Sequence, residues 1–494
     1  MMDRELKVLF LSSEAVPFAK SGGLGDVAGS LPTALKRLGV DVRLVLPYYR
    51  MVRDGRFEIR PLLTRLNIPF GSEKLPARIH ECRMEAEVPV YLVDREDLYD
   101  RPNLYGDARG DYYDNLERFS FFAHAALTIA GEISFSPDLA HCHDWQTGLV
   151  PALLAGPYRD TGPLSNVRSV FTIHNVGYQG LFPAAKLPLT GLPSKDYYHS
   201  GGLEYWDKIS LLKAGIVYSD AITTVSPKYA QEIQIAEYGM GMEGILRGRS
   251  AVLHGILNGI DYFRWDPAKD PQIRAPYSCE DVSGKARCKK SLIIEMDLDS
   301  SLEEKPLLGM ISRLDAQKGL DLLVQILDDI LRQDVGLVVL GSGDERIQEA
   351  IQGAAQRYPG KVGLKIGFDE PLAHRIMAGV DIFLISSRYE PCGLTQMYAL
   401  KYGTVPVVRA TGGLDDTIEQ YSMETKEGNG FKFEAFDAAA FLEAVQQALE
   451  VFQEQSSWKN LMANGMKADF SWDRSAERYI ALYKTVIEDM PFPK

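Results

Sequence analysis

The chain has few cysteines and no cysteine pattern, so it lacks the mark of a disulfide-stapled secreted protein. Its five cysteines are odd in number and scattered over 494 residues, which favours a reducing compartment, and we expect a cytoplasmic location. No apolar run approaches the length of a membrane span. The opening residues mix acidic and basic side chains before a short apolar run, which is typical of a first strand and not of a signal peptide.

Positive charge is also in short supply. The chain has 54 Lys and Arg residues against 67 Asp and Glu residues, a formal net charge of −13. Nucleic acids and acidic membranes attract basic surfaces, so we expect neither as a partner. A small anionic ligand stays compatible with this charge, because a local basic pocket can form in an acidic protein. The length indicates roughly two to four domains.

Apolar, β-branched segments alternate with helical patterns in both halves of the chain, and the longest helical pattern covers 112–132. Continuous apolar strands separated by helices predict parallel sheets covered on both faces, that is, α/β domains of the doubly wound type. The predicted strands are 7–13, 42–47, 88–94, 139–144, 169–175, 221–226, 306–312, 335–343, 363–368, 381–387 and 404–410.

The alternation breaks around Asn258–Pro267, and the sequence that follows, to about Asp299, is polar and weakly patterned, which predicts a linker. We therefore expect a Rossmann-like N-terminal domain over 1–261 and a Rossmann-like C-terminal domain over 262–471. The remaining residues, 472–494, predict a helix that crosses back to the N-terminal domain.

A glycine-rich loop, Lys20-Ser-Gly-Gly-Leu-Gly-Asp26, separates the first predicted strand from the first helix. Such a loop can bring backbone N–H groups to an anion at the helix start. The spacing Gly23-x-Gly25-x-x-Ala28 also fits a loose dinucleotide fingerprint, but the second strand does not end in the acidic residue that holds a ribose. The missing acidic residue therefore makes an NAD(P)-dependent oxidoreductase only a weakly supported alternative. A Walker loop is excluded because its lysine follows the glycines.

A second Gly-Gly-Leu-x-Asp sequence, Gly412 to Asp416, lies between a predicted strand and a helix in the second half. Two interpretations are open. The two sequences are independent tight turns that use glycine for backbone freedom, or they are related anion-binding loops. In either case both face the carboxyl ends of strands, where open α/β sheets bind ligands.

Three charged residues follow strands in the second half. Arg313 and Lys318 lie in one strand-to-helix loop, where a planar guanidinium and an ammonium can together clamp a diphosphate. Glu390 follows another buried strand, where a carboxylate can accept hydrogen bonds from sugar hydroxyls. The alternatives are a solvated basic loop and a capping Glu-Pro turn.

Histidines mark two strand ends in the first half. His141 and His143 share one strand face, but no third ligand has a suitable spacing, so we expect no metal. Asp144 follows them and is expected to line a cleft, and His174 ends the next strand, with a purely structural role as the alternative. The Asp-x-Asp sequence at Asp297–Asp299, which could hold a metal bound to a sugar nucleotide, lies in the predicted linker. Metal-free chemistry is therefore expected, with cationic side chains and helix N-termini balancing phosphate charge.

These motifs together resemble the bacterial glycogen synthase and plant starch synthase family, and they occur in the family's order along nearly the whole chain. The motifs are Lys20–Asp26, His143–Trp145, Thr172–Asn175, Asn258–Asp261, Ser312–Gly319, Glu390–Leu394 and Ala410–Leu414. The resemblance implies a GT-B fold, in which two Rossmann-like domains face each other across a cleft. It further implies transfer of glucose from ADP-glucose to the non-reducing end of an α-1,4-glucan, with retention of configuration and without a metal or other cofactor.

The resemblance also implies a role for each matching residue. Arg313 and Lys318 would clamp the donor diphosphate, Glu390 would hold glucose hydroxyls, His174 would contact glucose at O6, and Asp144 would face the acceptor. The expected substrate-binding residues are Lys20, Gly23, Asn175, Asn258, Cys392, Gly393, Leu394 and Thr395.

Two questions stay open from the sequence. A non-catalytic glucan-binding protein is the alternative of a different class, although glucan binding alone needs no diphosphate clamp. Retention can proceed by double displacement, for which Glu390 and Asp144 are the nominated carboxylates, or by a same-face route, which we prefer.

Overall fold

A computed structural model of the chain describes residues 5–159 and 161–488. These residues form two compact units. The first comprises the described residues up to Gly259 together with the last helix, and the second comprises Ile260–Ser471. No helix in the described ranges is both long and apolar enough to cross a membrane.

The first unit contains a long twisted sheet and the helices that cover it. Its strands are β1 (Lys7–Leu11), β2 (Asp41–Pro47), β3 (Arg60–Phe70), β4 (Glu73–Met84), β5 (Val88–Asp94), β6 (Gly106–Asp107), β7 (Gly110–Asp111), β8 (Leu139–His143), β9 (Arg168–Ile173), β10 (Leu181–Pro183), β11 (Glu204–Tyr205), β12 (Lys208–Ser210), β13 (Ala221–Thr224) and β14 (Leu253–Gly255). Its helices before Gly259 are α1 (Gly23–Arg37), α2 (Arg50–Asp54), α3 (Glu96–Tyr99), α4 (Asn115–Glu132), α5 (Leu149–Ala155), α6 (Ser194–Tyr197), α7 (Leu211–Tyr218), α8 (Pro227–Glu232) and α9 (Glu243–Gly248).

The main sheet of this unit has the strand order β14-β13-β9-β8-β1-β2-β5-β4-β3. All pairs from β14 to β5 are parallel, as the buried apolar strands predict. The chain leaves β1 for β2 on one side and later returns to β8 on the other. This reversal lies beside β1, and in open α/β sheets ligands bind at the carboxyl ends of strands at such a point.

An antiparallel hairpin, β3–β4, lies at the sheet edge and was not predicted from the sequence. One face of β3 is largely exposed, its register with β4 shifts twice, and prolines occupy two of its positions. Edge strands tolerate proline and charge because one side of the backbone faces solvent, so the apolar alternation that reveals a buried strand is weak here.

The second unit has a smaller sheet of the same type. Its strands are β15 (Leu307–Ile311), β16 (Gly336–Gly341), β17 (Val362–Ile366), β18 (Ile382–Ile385), β19 (Val405–Arg409) and β20 (Phe431–Phe433). Its helices are α10 (Ser283–Glu295), α11 (Leu320–Leu331), α12 (Glu345–Arg357), α13 (Glu370–Gly379), α14 (Thr395–Lys401), α15 (Gly412–Thr417), α16 (Ala438–Gln453) and α17 (Gln455–Lys467). The final helix of the chain, α18 (Trp472–Glu488), belongs to the first unit.

The six strands described for this unit are all parallel and have the order β17-β16-β15-β18-β19-β20. The order reverses between β15 and β18, so the loops that follow these two strands adjoin the crevice where a ligand is expected. Two Rossmann-like units with these sheets confirm the predicted fold class, and the eleven predicted strands agree with the structure to within about three residues at each end.

The prediction of a linker over about 268–299 is wrong, because this segment is folded into the second unit. Helix α10 carries the buried Lys285, whose ammonium donates to the backbone oxygens of Ala378 and Tyr402 and to the Thr404 hydroxyl. Upstream, the Trp265 ring stacks on His374 with 3.7 Å between ring centroids. Polar residues buried by hydrogen bonding give no apolar pattern, so the sequence reads as unstructured where the chain is packed.

Candidate active site

A buried carboxylate shapes the glycine loop between β1 and α1. The Glu14 carboxylate accepts hydrogen bonds from the backbone N–H groups of Ser21 at 2.6 Å and Gly22 at 3.2 Å. It also accepts from the Ser21 hydroxyl at 2.6 Å and the Tyr105 hydroxyl at 2.7 Å. Four donors on one carboxylate fix the loop ahead of the helix start. Sequence reasoning missed Glu14, although its place just after the first strand was a usable signal.

The glycines of this loop leave the start of α1 open. A Cβ atom added at Gly22 or Gly23 would meet no other atom within 4 Å, so packing within the chain does not require glycine at either position. Small residues here let a ligand approach the backbone N–H groups of the helix N-terminus. Lys20 stands beside them, nearly half exposed, with its Nζ 2.7 Å from Asp26 Oδ1.

The second Gly-Gly-Leu-x-Asp sequence has a different physical cause. A Cβ at Gly412 would lie 1.9 Å from the Glu390 carbonyl oxygen, and one at Gly413 would lie 2.1 Å from the Cys392 carbonyl oxygen. Gly412 also has a φ of +46°, in the region that favours glycine. These glycines let two loops of the second unit touch, which favours two independent turns over related anion-binding loops.

Asp144 follows β8 in a strained conformation, with φ at +56°. Its Oδ1 accepts a hydrogen bond of 2.7 Å from the backbone N–H of His174, and the N–H of Asn175 also bonds to this carboxylate. Burial raises the pKa of Asp144 to about 7 against the effect of the His174 bond, and the nearby Glu14 carboxylate adds to the increase. Asp144 therefore ties the ends of β8 and β9 together.

The rings of three histidines, His141, His143 and His174, lie in a row at strands β8 and β9. His174 follows β9, and its Nε2 is 2.9 Å from Nδ1 of His143. Burial lowers the pKa of His174 to about 3 and lowers those of His143 and His141 well below the usual value, so all three are neutral near pH 7. His141 uses one ring nitrogen with the Thr172 hydroxyl at 2.6 Å and the other with the Tyr483 hydroxyl at 2.7 Å.

Both ring nitrogens of His141 are therefore committed to protein partners, and a metal would have to displace one of them. Within 5–159 and 161–488 no group of three or more His, Cys, Asp or Glu side chains is arranged to hold a metal ion.

The two asparagines that were predicted to bind substrate differ in their contacts. Asn175 closes a turn by accepting from the N–H of Gly177 at 2.9 Å, whereas the Oδ1 of buried Asn258 finds no partner among the described residues.

In the second unit, the loop after β15 separates its two cations. The Asp315 carboxylate accepts from the backbone N–H of Lys318 at 3.0 Å and pairs with the Arg313 guanidinium at 2.7 Å. Arg313 also donates to the Gln317 amide oxygen at 2.9 Å, and its side chain is 58% exposed. The guanidinium is held near the surface of the loop, where it can reach a ligand.

Lys318 points instead to the neighbouring strand end. Its Nζ lies 2.5 Å from Oε2 of Glu390, which follows β18, and the Ser387 hydroxyl donates to the same oxygen at 3.0 Å. Both side chains of this ion pair are mostly buried. Lys318 and Glu390 were both predicted from the sequence to bind a ligand. That they pair with each other was not predicted.

The loop after Glu390 leads directly into α14. Cys392 is buried, Gly393 has a φ of +69°, and Leu394 and Thr395 form the start of the helix, where backbone N–H groups face outward. The buried Gln396 amide donates to the carbonyl oxygens of Cys392 at 2.9 Å and Gly393 at 3.1 Å. Gln396 thus holds the loop shape, and sequence reasoning missed it because it lies inside an ordinary helical pattern.

Comparison with known families finds two matching models. The model described as the starch synthase catalytic domain matches residues 7–248, and the model described as glycosyl transferases group 1 matches residues 297–461. The predicted site residues of the second unit all fall inside the second match. Those of the first unit fall inside the first match except for Asn258.

Two full-length relatives have the same name. A glycogen synthase of Anaeromyxobacter sp. (strain Fw109-5) is 46% identical over 97% of this chain and 99% of that protein. A glycogen synthase of Myxococcus xanthus (strain DK1622) is 46% identical over 98% of this chain and 100% of that protein. Among solved structures, the catalytic domain of starch synthase IV from Arabidopsis thaliana, bound to ADP and acarbose, superposes with a TM-score of 0.90 at 35% identity, covering 98% of this chain and 100% of that one.

Proposed function

This chain belongs to the family of starch and glycogen synthases, and from that premise we propose that it transfers glucose from ADP-glucose to the non-reducing end of an α-1,4-glucan. Its class is that of a glycosyltransferase with two Rossmann-like units. The choice of ADP-glucose over UDP-glucose, the retention of configuration and the roles of single residues belong to the proposal.

The observation that carries the proposal is the charge arrangement at the β15–β18 reversal. An exposed guanidinium from Arg313, an ammonium from Lys318 and a carboxylate from Glu390 all follow these two strands. Two cations suit a diphosphate, because guanidinium forms a planar fork and ammonium acts as a point charge. As ADP leaves, negative charge grows on its terminal phosphate, and preorganised cations stabilise that charge.

The sugar of the donor needs hydroxyl contacts, and Glu390 can supply them. Both of its contacts with Lys318 and Ser387 use Oε2, so Oε1 is positioned to accept from sugar hydroxyls. His174, neutral and anchored at its Nε2, supplies a polar contact to glucose, for which we propose O6. Asp144 keeps its proposed place on the acceptor side and, through its bond to the His174 backbone, also fixes the strand end.

The first unit contributes the glycine loop. Lys20 and the open helix start behind Gly23 are proposed to approach the distal phosphate of the donor. Cationic side chains and helix N-termini can balance diphosphate charge on their own, which supports a transfer that needs no metal and no other cofactor. The loop Cys392–Thr395 and the side chains of Asn175 and Asn258 complete the proposed set of substrate contacts.

For retention we propose a same-face route. The acceptor 4-hydroxyl oxygen bonds to the anomeric carbon as the bond from that carbon to the phosphate oxygen breaks, and the departing phosphate takes the hydroxyl proton. The two carboxylates considered for a double displacement are otherwise engaged. Glu390 is paired with Lys318, and Asp144 is hydrogen-bonded to backbone N–H groups with its pKa raised to about 7. A trapped glucosyl adduct on either residue would contradict this route.

One experiment tests donor, acceptor and metal together. The purified full chain is given glycogen and either labelled ADP-glucose or labelled UDP-glucose, with and without a chelator. We expect incorporation from ADP-glucose that the chelator does not reduce, with the new linkage in the α configuration by proton NMR. No incorporation from either donor defeats the proposal, and NAD binding in its place would favour the oxidoreductase alternative.

A cytoplasmic location is part of the proposal as well. All five cysteines fall in the described residues, and none of them is joined to another in a disulfide bond. Four of them are buried, so a reducing environment is compatible with the fold without any disulfide. Fractionation of the native host, with the chain detected in the cytosolic fraction, tests this point.

A further inference from the structure

The hydrogen bond between His143 and His174 determines which nitrogen of His174 carries its proton. The two rings meet through Nδ1 of His143 and Nε2 of His174 at 2.9 Å. Both imidazoles are neutral, so one nitrogen of the pair is an N–H donor and the other is a lone-pair acceptor. If His143 donates, the proton of His174 lies on Nδ1. If His143 accepts, it lies on Nε2.

The surroundings of His143 decide between these two directions. The ring is fully buried, stacked on Phe10 with 4.3 Å between centroids and 4.1 Å from the ring of His141. Its Nε2 is buried and has no hydrogen-bond partner among the described residues. A buried N–H without an acceptor is rarer in folded proteins than a lone pair without a donor. The proton of His143 therefore lies on Nδ1, and His143 is the donor.

We propose that His143 is a positioning residue that holds His174 as the Nδ1–H tautomer, so that His174 offers an N–H donor to a sugar oxygen. This inference rests on the proposed function. Two neighbouring residues divide the task. The Asp144 carboxylate fixes the backbone N–H of His174, and the His143 ring fixes its imidazole.

The direction of this bond has a consequence for substrate choice. An N–H group at the sugar requires an oxygen acceptor at the matching position of the hexose, which a deoxy sugar lacks. A site built around a fixed donor discriminates against the deoxy analogue, because the donor is left unpaired when that analogue binds. The substrate class is thus a hexosyl donor with a hydroxyl group at the position that His174 contacts, which we take as C6.

Nitrogen NMR reads the tautomer directly. The full chain is labelled with 15N-histidine, and the His143 and His174 signals are assigned by their loss in His143→Asn and His174→Asn. We expect a protonated, pyrrole-type Nδ1 and an unprotonated, pyridine-type Nε2 for both rings at pH 7. A pyridine-type Nδ1 on His174 would overturn the proposal, whatever the enzyme transfers.

Kinetics tests the positioning role with a matched pair of variants. His143→Leu and His143→Asn have similar shapes, but only asparagine keeps an N–H group near the place of Nδ1. With ADP-glucose we expect His143→Leu to lower kcat/KM about tenfold and His143→Asn to recover most of that loss. With the 6-deoxyglucosyl donor the wild type should lose about tenfold, whereas His143→Leu should lose little more than it has already lost.

A buried histidine elsewhere in the same unit is the control. His124 bonds to the Tyr158 hydroxyl and the Thr190 carbonyl oxygen, neither of which belongs to a proposed site residue. His124→Leu should lower the melting temperature and leave the 6-deoxy penalty at the wild-type value. The positioning role is contradicted if folded His143→Leu keeps wild-type kcat/KM, or if the 6-deoxy penalty is the same in wild type and His143→Leu. Absence of transfer by the wild type would instead count against the proposed function, since the NMR result does not depend on turnover.

Discussion

Neutralising Glu390 should slow turnover of ADP-glucose without weakening the binding of ADP. The Glu390 carboxylate pairs with the Lys318 ammonium at 2.5 Å, and both side chains are mostly buried. In our proposal Lys318 binds the diphosphate and Glu390 accepts hydrogen bonds from the sugar. The variant Glu390→Gln therefore frees the ammonium for phosphate while removing an acceptor from the sugar.

The magnitudes follow from the geometry of the pair. Unit charges 2.5 Å apart at an effective dielectric constant of 20 attract by about 6–7 kcal/mol, most of which is offset by desolvation. A hydrogen bond to a charged group contributes about 1.5–3 kcal/mol net, which is roughly tenfold to over a hundredfold in an equilibrium or rate constant. We expect Lys318→Met to weaken ADP binding by this factor, and Glu390→Gln to lower kcat/KM for ADP-glucose by a similar factor.

Calorimetric titration with ADP, alongside initial rates with ADP-glucose, measures both effects. Glu390→Gln should bind ADP as tightly as the wild type or up to several-fold more tightly, because a negative charge near the diphosphate is gone. The double variant should bind ADP better than Lys318→Met alone, since that single variant leaves an unpaired carboxylate. Lys290→Met, which removes a surface ion pair with Glu303, is the matched control and should change neither quantity measurably.

The reasoning is refuted if Glu390→Gln weakens ADP binding as strongly as it slows turnover. That result would mean that the carboxylate organises the phosphate side of the site and does not act on the sugar. Equal ADP affinity in Lys318→Met and the double variant would refute the coupling between the two residues.

Three further predictions concern stability and the glycine loop. Because the pKa of His174 falls from 6.5 to about 3 on folding, the folded state binds fewer protons, and stability present above pH 6.5 is lost as the pH falls towards 3. His174 alone should account for about 2 kcal/mol at pH 5, measured as a smaller drop in urea midpoint between pH 7 and 5 for His174→Asn than for wild type. Gly23→Ala should keep the wild-type melting temperature but lose ADP-glucose turnover. Gly412→Ala should fail to fold or should melt at a much lower temperature. Equal melting temperatures for the two variants would contradict this prediction. Glu14→Gln should loosen the loop that four donors now hold and lower kcat/KM at least tenfold, with circular dichroism unchanged, and wild-type kinetics would count against this role.

The sequence predicted the parts of the fold that depend on long apolar patterns. Eleven strands of the two parallel sheets were recognisable because their apolar residues must face helices on both sides, whereas the three-residue strands β14 and β20 were missed. Charged residues just beyond those strands, such as Arg313 and Glu390, were recognisable because parallel sheets bring strand ends to one edge. Both inferences rest on local sequence and topology, and neither needs to know how distant side chains pair.

What could not be predicted depends on contacts across the chain. Glu14 meets Ser21 only because the loop folds back, and Lys318 meets Glu390, 72 residues away, only because their strands are neighbours in the sheet. The packed segment around α10 was read as a linker, since Lys285 and Trp265 are held by polar and stacking contacts that leave no periodic signature. The specific roles of the predicted site residues stay predictions.

The return of α18 to the first unit makes the order of synthesis matter. The second unit is inserted between Gly259 and Trp472, so the first unit lacks one of its helices until the whole second unit has left the ribosome. Until then, the Tyr483 hydroxyl cannot reach His141, and one end of the buried histidine row has no partner. The unit made first is thus the unit finished last, and a stop codon between the second unit and α18 would remove a helix from the amino-terminal unit.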